Sequence, residues 1–149
     1  MKKFFLALCF ATLMLPSTTK ADDGTSMFPI IRITNDLVSY IENDMNYEIV
    51  RIEFDILSST KSSIRTLSAG YDYTICAYGD ERFKDIDIKV YVKQGGEWVY
   101  VDKDEDISST AVVSVTPSYT REYKIDITAY QFEPGYSVGH YGLIICHNK

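Results

Sequence analysis

"DIDIKVYVKQGGEWVYV", Asp85 to Val101, decides how this chain folds. Ile86, Ile88, Val90 and Val92 alternate with Asp87, Lys89, Tyr91 and Lys93, a period of two that sends apolar and polar side chains to opposite faces of a strand. Gly95-Gly96 interrupts the run with the residues a two-residue hairpin turn requires, and "EWVYV" returns. On the return, either Trp98 and Tyr100 or Val99 and Val101 face inward. The stretch reads as a β-hairpin with one face buried.

The same rhythm extends in both directions. "YEIVRIEFDI" sets Val50, Ile52, Phe54 and Ile56 against Arg51, Glu53 and Asp55, a half-buried strand. A brief strand follows at Ile64 to Leu67 and a clear one at Tyr71 to Tyr78. Beyond the hairpin come "TAVVSV", then "EYKIDITAY" with Tyr123, Ile125, Ile127 and Ala129 on one side, and finally "YGLIIC". Seven or eight short strands separated by turn signals predict an all-β, antiparallel β-sandwich over 47–149. Upstream, Ile30, Ile33, Leu37 and Ile41, with Val38 beside them, recur every three to four residues against Arg32, Asn35, Asp36, Ser39 and Glu42. Residues 22–46 therefore read as a short lead and an amphipathic helix, with a strand at Ile30 to Thr34 as the alternative.

Residues 1–21 have the layout of a secretory signal peptide. Lys2 and Lys3 precede an apolar run of 12 residues, Phe4 to Leu15, and Pro16 ends it. Thr19-Lys20-Ala21 supplies small residues for cleavage after Ala21. The run is short of the roughly 18–20 residues that span a bilayer. Cleavage predicts a secreted or periplasmic protein with no membrane insertion. Three of the 15 basic residues (Lys2, Lys3 and Lys20) leave with the leader, so 12 face the 21 acidic ones. A surface this negative repels phosphate backbones, which argues against a nucleic-acid partner.

Cleavage also removes Cys9 and leaves Cys76 and Cys146. An even count in an exported chain suggests one disulfide. Phase agrees: in "YDYTICAY" Tyr71, Tyr73 and Ile75 point to the core, in "YGLIICH" Tyr141, Leu143 and Ile145 do, and both cysteines turn to the other face. Two free buried thiols are the alternative.

"RTLSAGYDYTICAYGD" (Arg65 to Asp80) resembles the L-x-A-G-x-x-Y-x-I stretch of the bacterial pre-peptidase C-terminal domain, and "DIDIKVYV" resembles that family's D-x-D-L-x-V strand. "VYVDKDE", "AVVSVTP", "REYKIDI" and "HYGLII" follow in the family's order and spacing, so the resemblance covers roughly residues 47–147. Arg121-Glu122 stands where the family has glycine before the tyrosine of its penultimate strand. The resemblance implies a jelly-roll β-sandwich acting as a non-catalytic module. It also implies kinship with collagen-binding domains, which bind a matrix protein with the help of calcium.

Three patterns invite a chemical reading. "GYSVGHYG" (Gly135 to Gly142) matches G-x-S-x-G, but a nucleophile elbow needs a strand before the serine and a helix after it. Here "FEPG" precedes Ser137, a strand pattern follows, and no acid is placed to orient His140. "DKDED" puts Asp102, Asp104 and Asp106 at alternate positions, as calcium loops do. An EF-hand is excluded because its sixth and twelfth positions would be Ile107 and Val113. A calcium site shared with Asp85, Asp87 or Asp80 is one reading, and a solvated acidic turn is the other. His140 and His147, the only histidines, are too few for zinc and read as surface or strand-end residues.

The third pattern is the 12 tyrosines and one tryptophan. Tyr78, Tyr91 and Tyr130 fall on outward positions, with Trp98 and Tyr100 as further candidates. Outward aromatic rings grip sugars or peptides at little entropy cost, although they are also good strand formers. The expectation is an exported non-catalytic module that binds a protein or an extracellular polymer. Carbohydrate-binding, structural or accessory roles, and an inhibitor-like partner of a secreted enzyme are the alternatives. No cofactor is expected beyond calcium.

Overall fold

A computed structural model describes residues 26–148; the expected signal peptide, with Cys9, lies outside them. Pro29 opens a helix, α1 (Phe28–Ser39), where a missing N–H costs nothing. The helix ends in one wider π turn at Tyr40–Asp44. Asn46, at φ 57°, redirects the chain into the first strand. Eight strands follow: β1 (Tyr47–Leu57), β2 (Thr60–Leu67), β3 (Tyr73–Gly79), β4 (Phe83–Gln94), β5 (Glu97–Asp104), β6 (Thr110–Val115), β7 (Arg121–Phe132) and β8 (Gly139–Asn148). They form two four-stranded antiparallel sheets, β1-β8-β3-β6 (sheet A) and β2-β7-β4-β5 (sheet B). That interleaved order is a jelly roll, a β-sandwich as the alternation requires. The Gly95-Gly96 turn joins β4 to β5 with φ of 59° and 92°, the doubly positive turn whose twist suits a hairpin.

The main core lies between the sheets. Ile75, Ile86, Ile88, Ile125, Ile127 and Leu143 are buried there, each at the inward phase of its strand. A second core lies on the outer side of sheet A, under the helix. Ile30 and Ile41 pack with Cys76, Tyr78, Ile144 and Cys146, and Ile33, Leu37 and Phe54 close the edges. Tyr78 is fully buried. Its ring stands over Gly142, its cross-strand partner, where any Cβ would overlap it. Thr34 gives its one hydroxyl proton to Ile30 O at 2.7 Å and lies 2.8 Å from Tyr78 Oη, so it accepts from the phenol. One helical threonine thus anchors α1 to the sheet.

The helix corrects several expectations. Tyr78 does not face solvent, because α1 covers that face. Cys76 and Cys146 share a face, as their phase requires, but they are not joined. Cys76 pairs with Ile144 and Cys146 with Thr74, so the two cysteines are diagonal neighbours. Diagonal partners lie about 7–8 Å apart, too far for a disulfide. Cys146 Sγ instead donates to Thr74 O at 3.6 Å. Tyr71 precedes its strand and is 43 % exposed, its ring 4.3 Å from that of His147. His147 and His140 stand at strand ends, yet both are buried.

β1 is half-buried as expected but shows the sandwich its polar side. A register shift between Ile49 and Arg51 sets the phase, so Glu53 pairs with core-facing Leu143, and Ile52 with Ile144 under the helix. Glu53 therefore faces β2, where it bonds Arg65 Nε at 2.7 Å and Ser63 at 3.2 Å. Burial pushes its carboxyl up, but the hydrogen bonds and charges of Arg65 and Arg51 together hold it below the usual range. Val50, Ile52 and Ile56 are left substantially exposed.

Candidate functional site

The outer face of sheet B carries Tyr91, Trp98, Tyr100 and Tyr130. The two-residue Gly95-Gly96 turn sets the register of β4 and β5, so Trp98 stands opposite Lys93 and Tyr100 opposite Tyr91, and a register shift follows between Tyr91 and Val90. Trp98 and Tyr100 thus share the outward face of Lys93 and Tyr91, while Val99 pairs with buried Val92. This decides between the two phases the sequence left open.

Tyr91 and Tyr100 meet edge to face, their ring centres 6.1 Å apart at 76°. Lys124 Nζ, from β7, sits 4.3 Å from the centre of the Tyr91 ring, and Lys93 Nζ sits 5.7 Å from that of Trp98. Each lysine is held on its other side by a carboxylate: Lys124 by Asp126 at 3.0 Å and Lys93 by Glu122 at 2.6 Å. Cation and anion together restrict the rings, so the patch is ordered before any ligand arrives. Tyr100 is 52 % exposed, while Trp98 and Tyr91 are half-buried at their edges. The face is shallow and suits an extended partner better than an enclosed small molecule.

The expected aromatic set is therefore divided. Trp98, Tyr100 and Tyr91 come together. Tyr130, 71 % exposed, stands on the same sheet but near Asp85 and Asp87. Tyr78 lies on the other sheet. The lysines were missed because only the register shows which strand partner stacks on which ring.

The expected calcium ligands do not converge. Asp104 ties its own turn, with Oδ1 accepting from Asp106 N at 3.0 Å and Oδ2 from Val112 N at 2.9 Å. Asp102 Oδ1 accepts from Lys103 N at 2.9 Å, and Asp85 Oδ1 from Ser108 N at 3.3 Å. Among the described residues no three His, Cys, Asp or Glu side chains are grouped to hold a metal ion. Backbone donors have already claimed most of these carboxylates.

Ser137 is an exposed loop residue, and β8 follows it from Gly139. His140 is engaged elsewhere, in a buried cluster with Asp80 and Arg82, which are 1 % and 3 % exposed. Arg82 Nε bonds Asp80 Oδ1 at 3.0 Å, and Arg82 Nη2 bonds Asp80 Oδ2. The same Nη2 lies 2.8 Å from His140 Nδ1. A guanidinium only donates, so Nδ1 accepts, whereas in a catalytic triad that nitrogen donates to the acid. His140 N also donates to Asp80 Oδ2 at 2.9 Å. The cluster ties the turn before β4 to the start of β8. Asp80 and Arg82 lie about 60 positions from His140, and the one signal that could have found them is "GDER" directly after a largely apolar strand.

Among the described residues no helix is long and apolar enough to cross a membrane. No family model and no curated protein sequence matches the chain. Several solved structures are similar to it. One is the pre-peptidase C-terminal domain of a collagenase from Bacillus anthracis, the family the sequence resembles. It is 9 % identical with a TM-score of 0.47, over 64 % of this chain and 87 % of that one. A second is PliG, a periplasmic lysozyme inhibitor of g-type lysozyme from Aeromonas hydrophila. It is 12 % identical with a TM-score of 0.46, over 70 % and 90 % of the two chains. A third is the Yersinia pseudotuberculosis-derived mitogen, 8 % identical with a TM-score of 0.46, over 66 % and 85 %.

Proposed function

We propose that this protein is an exported, non-catalytic β-sandwich module that binds a protein or an extracellular polymer through Trp98, Tyr100 and Tyr91. The observation that carries the reading is the stacking of Lys93 on Trp98 and of Lys124 on Tyr91. It holds two half-buried rings beside the exposed Tyr100 on one sheet face. Rings of this kind offer apolar area to a sugar face or a peptide, and the surrounding lysines and carboxylates offer donors and acceptors. A non-catalytic role is supported by the exposed Ser137 and by the engagement of His140 with Arg82.

The test is binding to immobilised glycans and matrix proteins by wild type, Trp98→Ala and Tyr100→Ala. The expected outcome is a ligand whose affinity falls at least about tenfold in either variant, the loss of a buried aromatic anchor. A ligand bound equally by all three places the binding surface elsewhere. Turnover of a generic ester panel that vanishes in Ser137→Ala overturns the non-catalytic reading.

A further inference from the structure

A hollow of about 280 Å³ opens on the outer face of sheet B, lined by Asp85, Asp87, Glu105, Ile107 and Tyr130. At about 3.3 Å per strand residue it lies roughly 13 Å along β4 from Tyr91. Residues 105–109 fold back over β4 there, and Ser108 O accepts from Ile86 N at 2.8 Å. Two of the three acids are provided for. Asp85 accepts from Ser108 N, and Glu105 is held by Lys89 at 2.7 Å and by Lys103. Asp87 is not. It is 8 % exposed, yet among the described residues it accepts no hydrogen bond and makes no ion pair.

Its oxygens still reach water through the hollow, and no donor among the described residues occupies them. Burial first, then the charges of Asp85, Glu105 and Asp104, push the Asp87 carboxyl above its ordinary range, with Lys89 opposing. Beside the carboxylates stand two large side chains in water, Ile107 at 79 % and Tyr130 at 71 % exposed.

We propose that this hollow receives the side chain of an arginine or lysine from a partner protein. The cationic head meets Asp87 and Asp85, and the stem lies between Ile107 and the Tyr130 ring. Each part of the hollow answers a part of such a side chain. A carboxylate with unused lone pairs takes the donors, and an exposed ring and an exposed isoleucine cover the methylenes. A metal ion is less well served, because among the described residues no three His, Cys, Asp or Glu side chains are grouped to hold one. The site is separate from the Trp98 patch, and its failure would leave the reading of that patch unaffected.

The experiment is an amide NMR titration of the chain from Asp22 onward with N-acetyl-arginine amide and N-acetyl-lysine amide. The uncharged isostere N-acetyl-citrulline amide is the control. The expected result is saturable shifts at Asp87, Glu105 and Ile107 with both basic probes, and binding about tenfold weaker for citrulline, as for loss of a charge-assisted bond. Asp87→Asn abolishes the shifts and melts higher than wild type, because the buried charge is gone. Equal binding of citrulline overturns the proposal, and so does a lower melting temperature in Asp87→Asn, which would make Asp87 a structural residue. A chelator-reversible rise in melting temperature with calcium chloride that needs Asp87 also overturns it, by assigning the hollow to a metal. Tyr130→Ala, on an exposed ring, decides independently: weaker binding of the basic probes supports the proposal and unchanged binding contradicts it.

Discussion

Replacing Tyr78 separates a helix that is built into the domain from one that only rests on it. Tyr78→Phe keeps the ring over Gly142 and removes one hydroxyl. Thr34 still donates to Ile30 O, so the loss is one buried neutral hydrogen bond, about 1 kcal/mol. Tyr78→Ala also removes a fully buried ring from the second core, and large-to-small changes of that kind cost about 3–5 kcal/mol. For a domain of this size each kcal/mol lowers Tm by roughly 3–5 °C. Urea denaturation measures both variants, and a cycle with Thr34→Val isolates the pair, with an expected coupling of about 0.5–1 kcal/mol. Hydrogen exchange supplies the spatial test: α1 amides lose protection in Tyr78→Ala while β4 and β7 amides keep theirs relative to the global stability. Burial pushes the Tyr78 phenol up to about 12. The unfolded phenol ionises near pH 10 while the folded one holds its proton, so stability falls as pH rises from about 10 towards 12. The fall is shallower in Tyr78→Phe. A Tyr78→Ala protein within about 1 kcal/mol of wild type, with α1 still protected, refutes the account of this interface.

Two further outcomes rest on the structure and a third on the leader sequence. Arg82→Met strands the buried Asp80 carboxylate and is expected to cost about 3–5 kcal/mol in urea denaturation; a change below about 1 kcal/mol would show that the cluster is not a buried ion pair. Burial raises both thiols, that of Cys76 to about 12, so on the order of one Cys76 in ten thousand is thiolate at pH 8. Native protein should resist an aromatic disulfide reagent and react only when unfolded, and non-reducing mass spectrometry that finds the pair joined would contradict the register of β3 and β8. N-terminal sequencing of protein expressed with its leader should begin at Asp22, and an intact Met1 would remove the argument for export.

The strands were legible because each is long enough for its two-residue rhythm to show, and Gly95-Gly96 announced its hairpin without ambiguity. What misled was the meaning of outward. Alternation tells which side chains share a face but not what covers that face, so Tyr78 and Tyr91 look alike in sequence. One lies beneath α1 and the other lies under a lysine. A bulge hid the rest: the shift after Ile49 reversed the expected sides of β1. The cysteines show the limit of phase reasoning most sharply, since sharing a face is necessary for a disulfide and the register still sets them one pair apart. Asp80, Arg82 and His140 carry no spacing signal, because a jelly roll joins its ends through strands distant in sequence.

Trp98 is the chain's one tryptophan, so its fluorescence reports on the proposed binding face without any label. Titrating the protein with a glycan or matrix protein that it retains should change Trp98 emission saturably, with the same midpoint as binding, and Tyr91→Ala/Tyr100→Ala should abolish both. Tight binding that leaves Trp98 emission unmoved and survives the double substitution would contradict the assignment of this face.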